Sequence, residues 1–93
     1  MFATIRIYSG SNELADALVE NEGAVKQLLS GIEGFKAYYL VRTADGAASF
    51  SVYESQEGAT ASDEAARSWV AENLPELNIS PPQVSAGEVG IHF

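Results

Sequence analysis

Apolar residues in this chain repeatedly change their spacing, and the order of those changes constrains the fold more than any single residue does. Phe2-Ala3-Thr4-Ile5-Arg6-Ile7-Tyr8 alternates with a period of two and is rich in β-branched and aromatic side chains, the pattern of a strand. One face carries Ala3, Ile5 and Ile7, the other Phe2, Thr4, Arg6 and Tyr8. Ser9-Gly10-Ser11-Asn12 breaks the alternation and offers helix N-cap residues. From about Asn12 to Leu29 the period lengthens, with Leu14, Leu18, Val25, Leu28 and Leu29 on one helical stripe, and Ser30-Gly31 ends it. Asn21 lies inside that stripe.

Phe35 to Arg42 and Ala48 to Glu54 read as two further strands joined at Asp45-Gly46, a strong hairpin signal. A two-residue turn there sets Val41 opposite Phe50, Tyr39 opposite Val52 and Tyr38 opposite Tyr53. Tyr39, Val41, Phe50 and Val52 then share one face; Tyr38, Leu40, Arg42, Ser49, Ser51 and Tyr53 share the other. After a loop over 55–61, Ser62 with Asp63 and Glu64 predicts a second helix, with Ala66, Trp69, Val70 and Leu74 as its apolar stripe. Pro75 stops it near Asn73, which is placed to act as its C-cap. Leu77 to Gln83 is an irregular connection, and Val84 to Phe93 alternates again as a final strand.

The order β-α-β-β-α-β, with right-handed crossovers, predicts a four-stranded antiparallel sheet with both helices on one face: a ferredoxin-like α+β sandwich. Residues 1–93 suit one domain of this kind. The sheet side away from the helices is expected to carry Phe2, Tyr8, Tyr38, Leu40, Tyr53, Val84 and Ala86. A surface so apolar calls for a cover, and a second copy packed about a two-fold axis supplies one. The expected partner is therefore the chain itself, through Phe2, Arg6, Tyr8, Tyr38, Leu40, Tyr53, Glu88 and His92.

Composition removes several function classes. There is no cysteine and one histidine, so thiolate chemistry and multi-histidine metal sites are excluded and no metal is expected. Net charge is −8, concentrated in the second half, where Arg67 is the one base among residues 54–93. That balance repels nucleic acid and anionic membranes. No apolar run approaches the roughly 20 residues of a membrane span, and the N-terminus has no basic leader, so the expected location is the cytoplasm. No nucleotide-binding loop or nucleophile elbow is present.

Ile32-Glu33-Gly34-Phe35 before the second strand, the Asp45-Gly46 hairpin, the Trp69-bearing second helix and Gly87-Glu88-Val89 in the last strand, set in the βαββαβ order, resemble the antibiotic-biosynthesis-monooxygenase-like dimeric α+β barrel superfamily. The resemblance covers almost the whole chain. It implies a homodimer with a cavity in each subunit between sheet and helices, and relatives that include cofactor-independent oxygenases of aromatic polyketides, quinol oxygenases and haem-degrading enzymes. The haem-degrading branch uses an asparagine on strand one, a tryptophan and a histidine on a helix; Trp69 matches the second, but the asparagine and the histidine are not present, and no cofactor is expected.

Within that frame Asn21, Tyr39 and Trp69 are the candidate ligand contacts, expected to face the helix–sheet layer and to hold a small aromatic molecule. The tyrosine and tryptophan read equally as core, and Asn21 as a cap of a backbone carbonyl. His92 and Arg6 are the candidate catalytic groups. His92 suits general acid–base work or an interface hydrogen bond. Arg6 and Glu88, on strands expected to be adjacent, either orient a polar substrate or neutralise each other. Two functions follow: a homodimer that binds a small aromatic ligand without catalysis, or a cofactor-independent monooxygenase acting on an aromatic or quinol-type substrate.

Overall fold

The chain runs β1 (Phe2–Ser9), α1 (Glu13–Glu20), α2 (Glu22–Ser30), β2 (Phe35–Thr43), β3 (Gly46–Tyr53), α3 (Gln56–Asn73), a short 3-10 turn over Pro75–Leu77 and β4 (Gln83–Glu88). The strands form one antiparallel sheet in the order β2-β3-β1-β4, the ferredoxin-like topology that the element order predicts. The structure is a computed structural model describing residues 1–10, 12–77 and 80–93. Ser11, one of the expected N-cap residues, and Asn78 and Ile79 of the expected irregular connection lie outside the described residues.

The first expected helix is two segments that meet at Asn21, whose backbone leaves the helical region at φ −106°, ψ 28°. Its side-chain Nδ2 donates to the Ala17 carbonyl at 2.8 Å, the local bonding by which asparagine competes with a continuous helix. α3 begins before the expected Ser62, because Ser55 is the actual N-cap and its hydroxyl accepts from the Gly58 N–H. Ser62 lies buried inside α3 and donates to the Ala59 carbonyl at 2.7 Å. β4 ends at Glu88, short of the expected Phe93; just beyond it, Val89 N–H donates to the Met1 carbonyl at 2.9 Å.

In the β2–β3 hairpin Thr43 stands opposite Gly46, so the two turn residues are Ala44 and Asp45, not Asp45 and Gly46. Tyr39 pairs with Phe50, Val41 with Ala48 and Tyr38 with Ser51, in place of the expected partners. Gly10, at φ +85°, donates its N–H to the Asp45 carbonyl at 2.8 Å and so ties this turn to the end of β1. The register differs by an even step, so each side chain keeps its expected companions on its own face.

Which face meets the helices is the reverse of the expectation. Tyr8 belongs to the buried cluster with Leu14, Leu18, Val25, Leu29 and Leu74, and Tyr38, Leu40, Phe35 and Trp69 pack against it. Tyr53 is 0% exposed: its hydroxyl donates to the Leu29 carbonyl at 2.8 Å and its ring meets Phe35 edge-on, centroids 5.7 Å apart. Thr4, Arg6, Ser49 and Ser51 are buried on the same side. Arg6, Tyr8 and Tyr53 are enclosed within one chain and cannot form the surface between two, and Tyr38 and Leu40 pack half-buried on the same helix-covered side, so all five are inner-layer residues. Phe2 and Glu88, paired across β1 and β4, share their face, although Glu88 is exposed.

The outer face presents three aligned apolar rows. Tyr39–Phe50–Ile5, Val41–Ala48–Ile7 and Ala37–Val52–Ala3 cross β2, β3 and β1 in register. Tyr39 is 64% exposed, and Ile7 and Val41 are exposed beside it. The physical cause of the reversal is the polar set. Thr4, Arg6, Ser49 and Ser51 satisfy one another and an acid on α3 beneath the helices, which leaves the purely apolar set to face outward.

Candidate functional site

The inner face of β1 and β3 carries a polar cluster that strand alternation brings together. Arg6, at the centre of β1, is 3% exposed and uses three donors: Nε to the Ser49 hydroxyl at 3.1 Å, Nη2 to the Ser51 hydroxyl at 3.0 Å, and Nη1 to Asp63 Oδ1 at 2.5 Å. Thr4 Oγ1 donates to the same carboxylate at 2.9 and 3.0 Å. Asp63 reaches the cluster from α3, on the helical stripe that also carries Ala59, Ala66 and Val70. Small hydroxyl residues on β3 leave room for the guanidinium, and every buried side-chain N or O among the described residues has a partner.

Two tyrosines flank the cluster. Burial pushes the Tyr8 hydroxyl above the ordinary phenol range, against the opposing pull of Arg6. The Tyr38 hydroxyl is raised for the same first reason, again against Arg6. Both therefore stand as neutral phenols at neutral pH, able to donate or accept.

Beside this cluster lies a cavity of about 540 Å³ between α3, β4 and the turn after α3, lined by Arg6, Tyr8, Asp63, Arg67, Leu74 and Val84 among others. Its volume is that of a small-molecule site. It exists because α1, α2 and α3 pack over β1, β2 and β3, while all of β4 is exposed. A void of about 20 Å³, roughly one water, lies on the other side of Tyr8 between Trp69, Tyr38, Ser49 and Leu29. A second open cavity of about 510 Å³ runs between α1–α2 and β2, lined by Val19, Glu22, Lys26 and Phe35 among others.

Of the residues expected to act together, Arg6 and Trp69 are in the inner layer, Arg6 on the large cavity and Trp69 on the small void. Tyr39 is on the outer face, and Asn21 spends its amide on the Ala17 carbonyl and lines none of the cavities described above. Arg6 stands opposite Val84, four positions along β1 from the partner of Glu88, and its ion pair is with Asp63. His92 lies exposed beyond the end of β4, away from these cavities. Sequence reasoning missed Asp63 and Arg67. The signal for Asp63 was present: an acid on the apolar stripe of α3 demands a buried cation, and Arg6 is the base at the centre of a strand.

The large cavity does not fit a haem. Its polar side chains are two guanidiniums, the Ser80 hydroxyl, a carboxylate already bonded twice over and the Tyr8 phenol, which burial keeps protonated and so a poor iron ligand; the sole imidazole is not in its lining. No cluster of three or more metal-ligating side chains occurs among the described residues, and no described helix is long and apolar enough to cross a membrane.

No family model matches the chain, and no curated protein matches it in sequence. Solved structures match it in shape along nearly their whole length. A candidate antibiotic biosynthesis monooxygenase from Nitrosomonas europaea superposes with a TM-score of 0.68 at 17% identity, covering 98% of this chain and 100% of that one. A monooxygenase from the ActVA-Orf6 gene of Streptomyces coelicolor, solved with nanaomycin D, gives 0.69 at 18% identity, over 99% and 88% of the two chains. A dimeric ferredoxin-like protein from an uncultured marine organism gives 0.65 at 13% identity, over 99% and 95%. These likenesses, together with the observed strand order, show that the chain shares the ferredoxin-like α+β fold of these proteins.

Proposed function

We propose that two copies of this chain pack through their outer sheet faces, and that each copy binds a small aromatic molecule in the cavity between α3 and β4 without chemically changing it. The observation that carries the ligand reading is the cavity of about 540 Å³ with a buried guanidinium in its wall. Its apolar lining suits a flat ring system, and the Arg6 cluster supplies a fixed polar edge. Binding is favoured over turnover because the one carboxylate at the cavity is held by Arg6 and Thr4, leaving no free general base there. The dimer reading rests on the three apolar rows of the outer face and agrees with the dimeric state of one protein of similar fold.

Native mass spectrometry of purified protein tests both parts, with a dimer carrying one small aromatic molecule per chain as the expected result. Ala71→Trp, at an exposed position lining the cavity, should abolish retention, whereas Val19→Trp on the other open cavity should not. Retention unaffected by Ala71→Trp overturns the assignment of the cavity. One observation favours the second reading, cofactor-independent oxygenation of a quinol-type substrate: Tyr8 is held as a neutral phenol at the cavity wall and can donate to a substrate oxygen. Oxygen uptake with a naphthohydroquinone, lost in Tyr8→Phe, would establish that reading over the first.

A further inference from the structure

We infer that the molecule bound between α3 and β4 is anionic, an aromatic carboxylate or phenolate held by Arg67; this rests on the cavity being the ligand site. The chain has five Lys and Arg residues against thirteen Asp and Glu. Arg6 pairs with Asp63, Lys36 with Glu54 and Arg42 with Asp16. Arg67 makes no ion pair among the described residues, although acids outnumber bases throughout the chain. Lys26, the other base without one, lines the second cavity together with Glu22.

Asp63 and Glu64 both lie one helical turn before Arg67 on α3, at i, i+4 and i, i+3, and neither forms an ion pair with it. The Asp63 carboxylate is instead turned inward, to Arg6 Nη1 at 2.5 Å and to Thr4 Oγ1. Arg67 is thus left on the cavity with its five donors free of any carboxylate. Arg6 contributes as well, since it has five N–H donors and three hydrogen bonds. Two guanidiniums against one carboxylate leave the cavity one positive charge in excess, on a chain whose net charge is −8. The rest of the lining includes Val70, Leu74, Pro81 and Val84, which match an apolar ring body rather than a polar ligand such as a sugar or nucleotide. A planar guanidinium recognises a carboxylate through two parallel hydrogen bonds, which sets both the charge and the orientation of what enters.

Calorimetric titration of the full chain with naphthoate and with naphthalenemethanol, which share the ring but are anionic and neutral respectively at neutral pH, tests the inference. Naphthoate should bind at least about tenfold more tightly, the scale of one charge-assisted hydrogen bond. Arg67→Gln should remove that preference by weakening naphthoate far more than naphthalenemethanol, Arg67→Lys should recover part of it, and Lys26→Gln, on the second cavity, should leave both affinities intact. Equal affinity for the two probes, or a preference that survives Arg67→Gln, overturns the anion inference while the cavity assignment stands. Binding of neither probe overturns both.

Discussion

Arg6 on β1 and Asp63 on α3 meet at 2.5 Å across the layer between sheet and helix, the guanidinium 3% exposed and the carboxylate 26%. Taking away one member of such a pair leaves the other as an uncompensated charge, which costs about 3–5 kcal/mol in buried settings. Because Asp63 retains some water, Asp63→Asn should lie at the lower end, about 3 kcal/mol. Urea denaturation should show a lower midpoint at unchanged slope. Arg6→Met combined with Asp63→Leu should recover most of that loss, and a double variant no more stable than Asp63→Asn would show that the pair is not the cause.

Alkaline pH should weaken the fold through its buried phenols. Burial raises the Tyr8, Tyr38 and Tyr53 hydroxyls above their ordinary value of 10.0. Below about pH 10 both folded and unfolded chains keep these protons and the full stability is present. As pH rises past that value the unfolded chain releases them first, so stability falls through the higher folded range. Phenolate absorbance followed together with circular dichroism should show late-titrating tyrosines ionising as structure is lost. Tyrosines that all ionise well before any structural change would contradict the burial assigned to them.

The outer face makes a prediction about assembly. Ile7 and Val41 are exposed and lie in one row on either side of Ala48. Lysine at both positions places like charges in the middle of any face-to-face contact while leaving the inner core untouched. The double variant should elute and scatter light as a single chain with an unchanged circular dichroism spectrum, whereas the parent protein does so at twice that mass. A parent protein that is already monomeric at micromolar concentration would remove the proposed interface.

Gly58 should be intolerant of even one added carbon. A Cβ built there would stand 3.0 Å from Tyr53 Cβ, 3.0 Å from its Cδ1 and 3.1 Å from the Glu33 carbonyl oxygen. Alanine is otherwise the better helix former by about 1 kcal/mol, so propensity alone predicts stabilisation. Overpacking against a ring anchored to Leu29 should win, leaving Gly58→Ala less stable by about 1–2 kcal/mol. Thermal unfolding of the variant decides between the two signs.

Strand order and the division of β1, β2 and β3 into two faces were largely readable from the residues, whereas the break at Asn21 and the end of β4 at Glu88 were not. Period-two alternation sorts Tyr38 from Tyr39 and Arg6 from Ile7 without saying which set turns inward, and both sets here hold aromatic groups. The deciding information is non-local: Asp63, 57 positions from Arg6, gives the polar set a partner beneath the helices. Local bonding likewise explains Asn21, whose amide serves its own helix instead of a ligand. The α3 boundary was hidden by two serines that each precede acidic residues, Ser55 and Ser62, of which the earlier one caps. Arg67 could not be singled out from spacing alone, because its importance comes from the absence of an ion pair.

The helices pack chiefly over three strands of the four, and β4 is exposed along its length. The recess beside it is thus a product of architecture, and several of its walls, including Ala71, Pro81 and Val84, lie at the surface, outside the central packing. On the proposed reading, substitutions there would retune which guest is admitted at little cost to folding. Selectivity and robustness would then reside in largely separate residues, so one scaffold could change its chemical preference through successive small steps without ever passing through an unfolded ancestor.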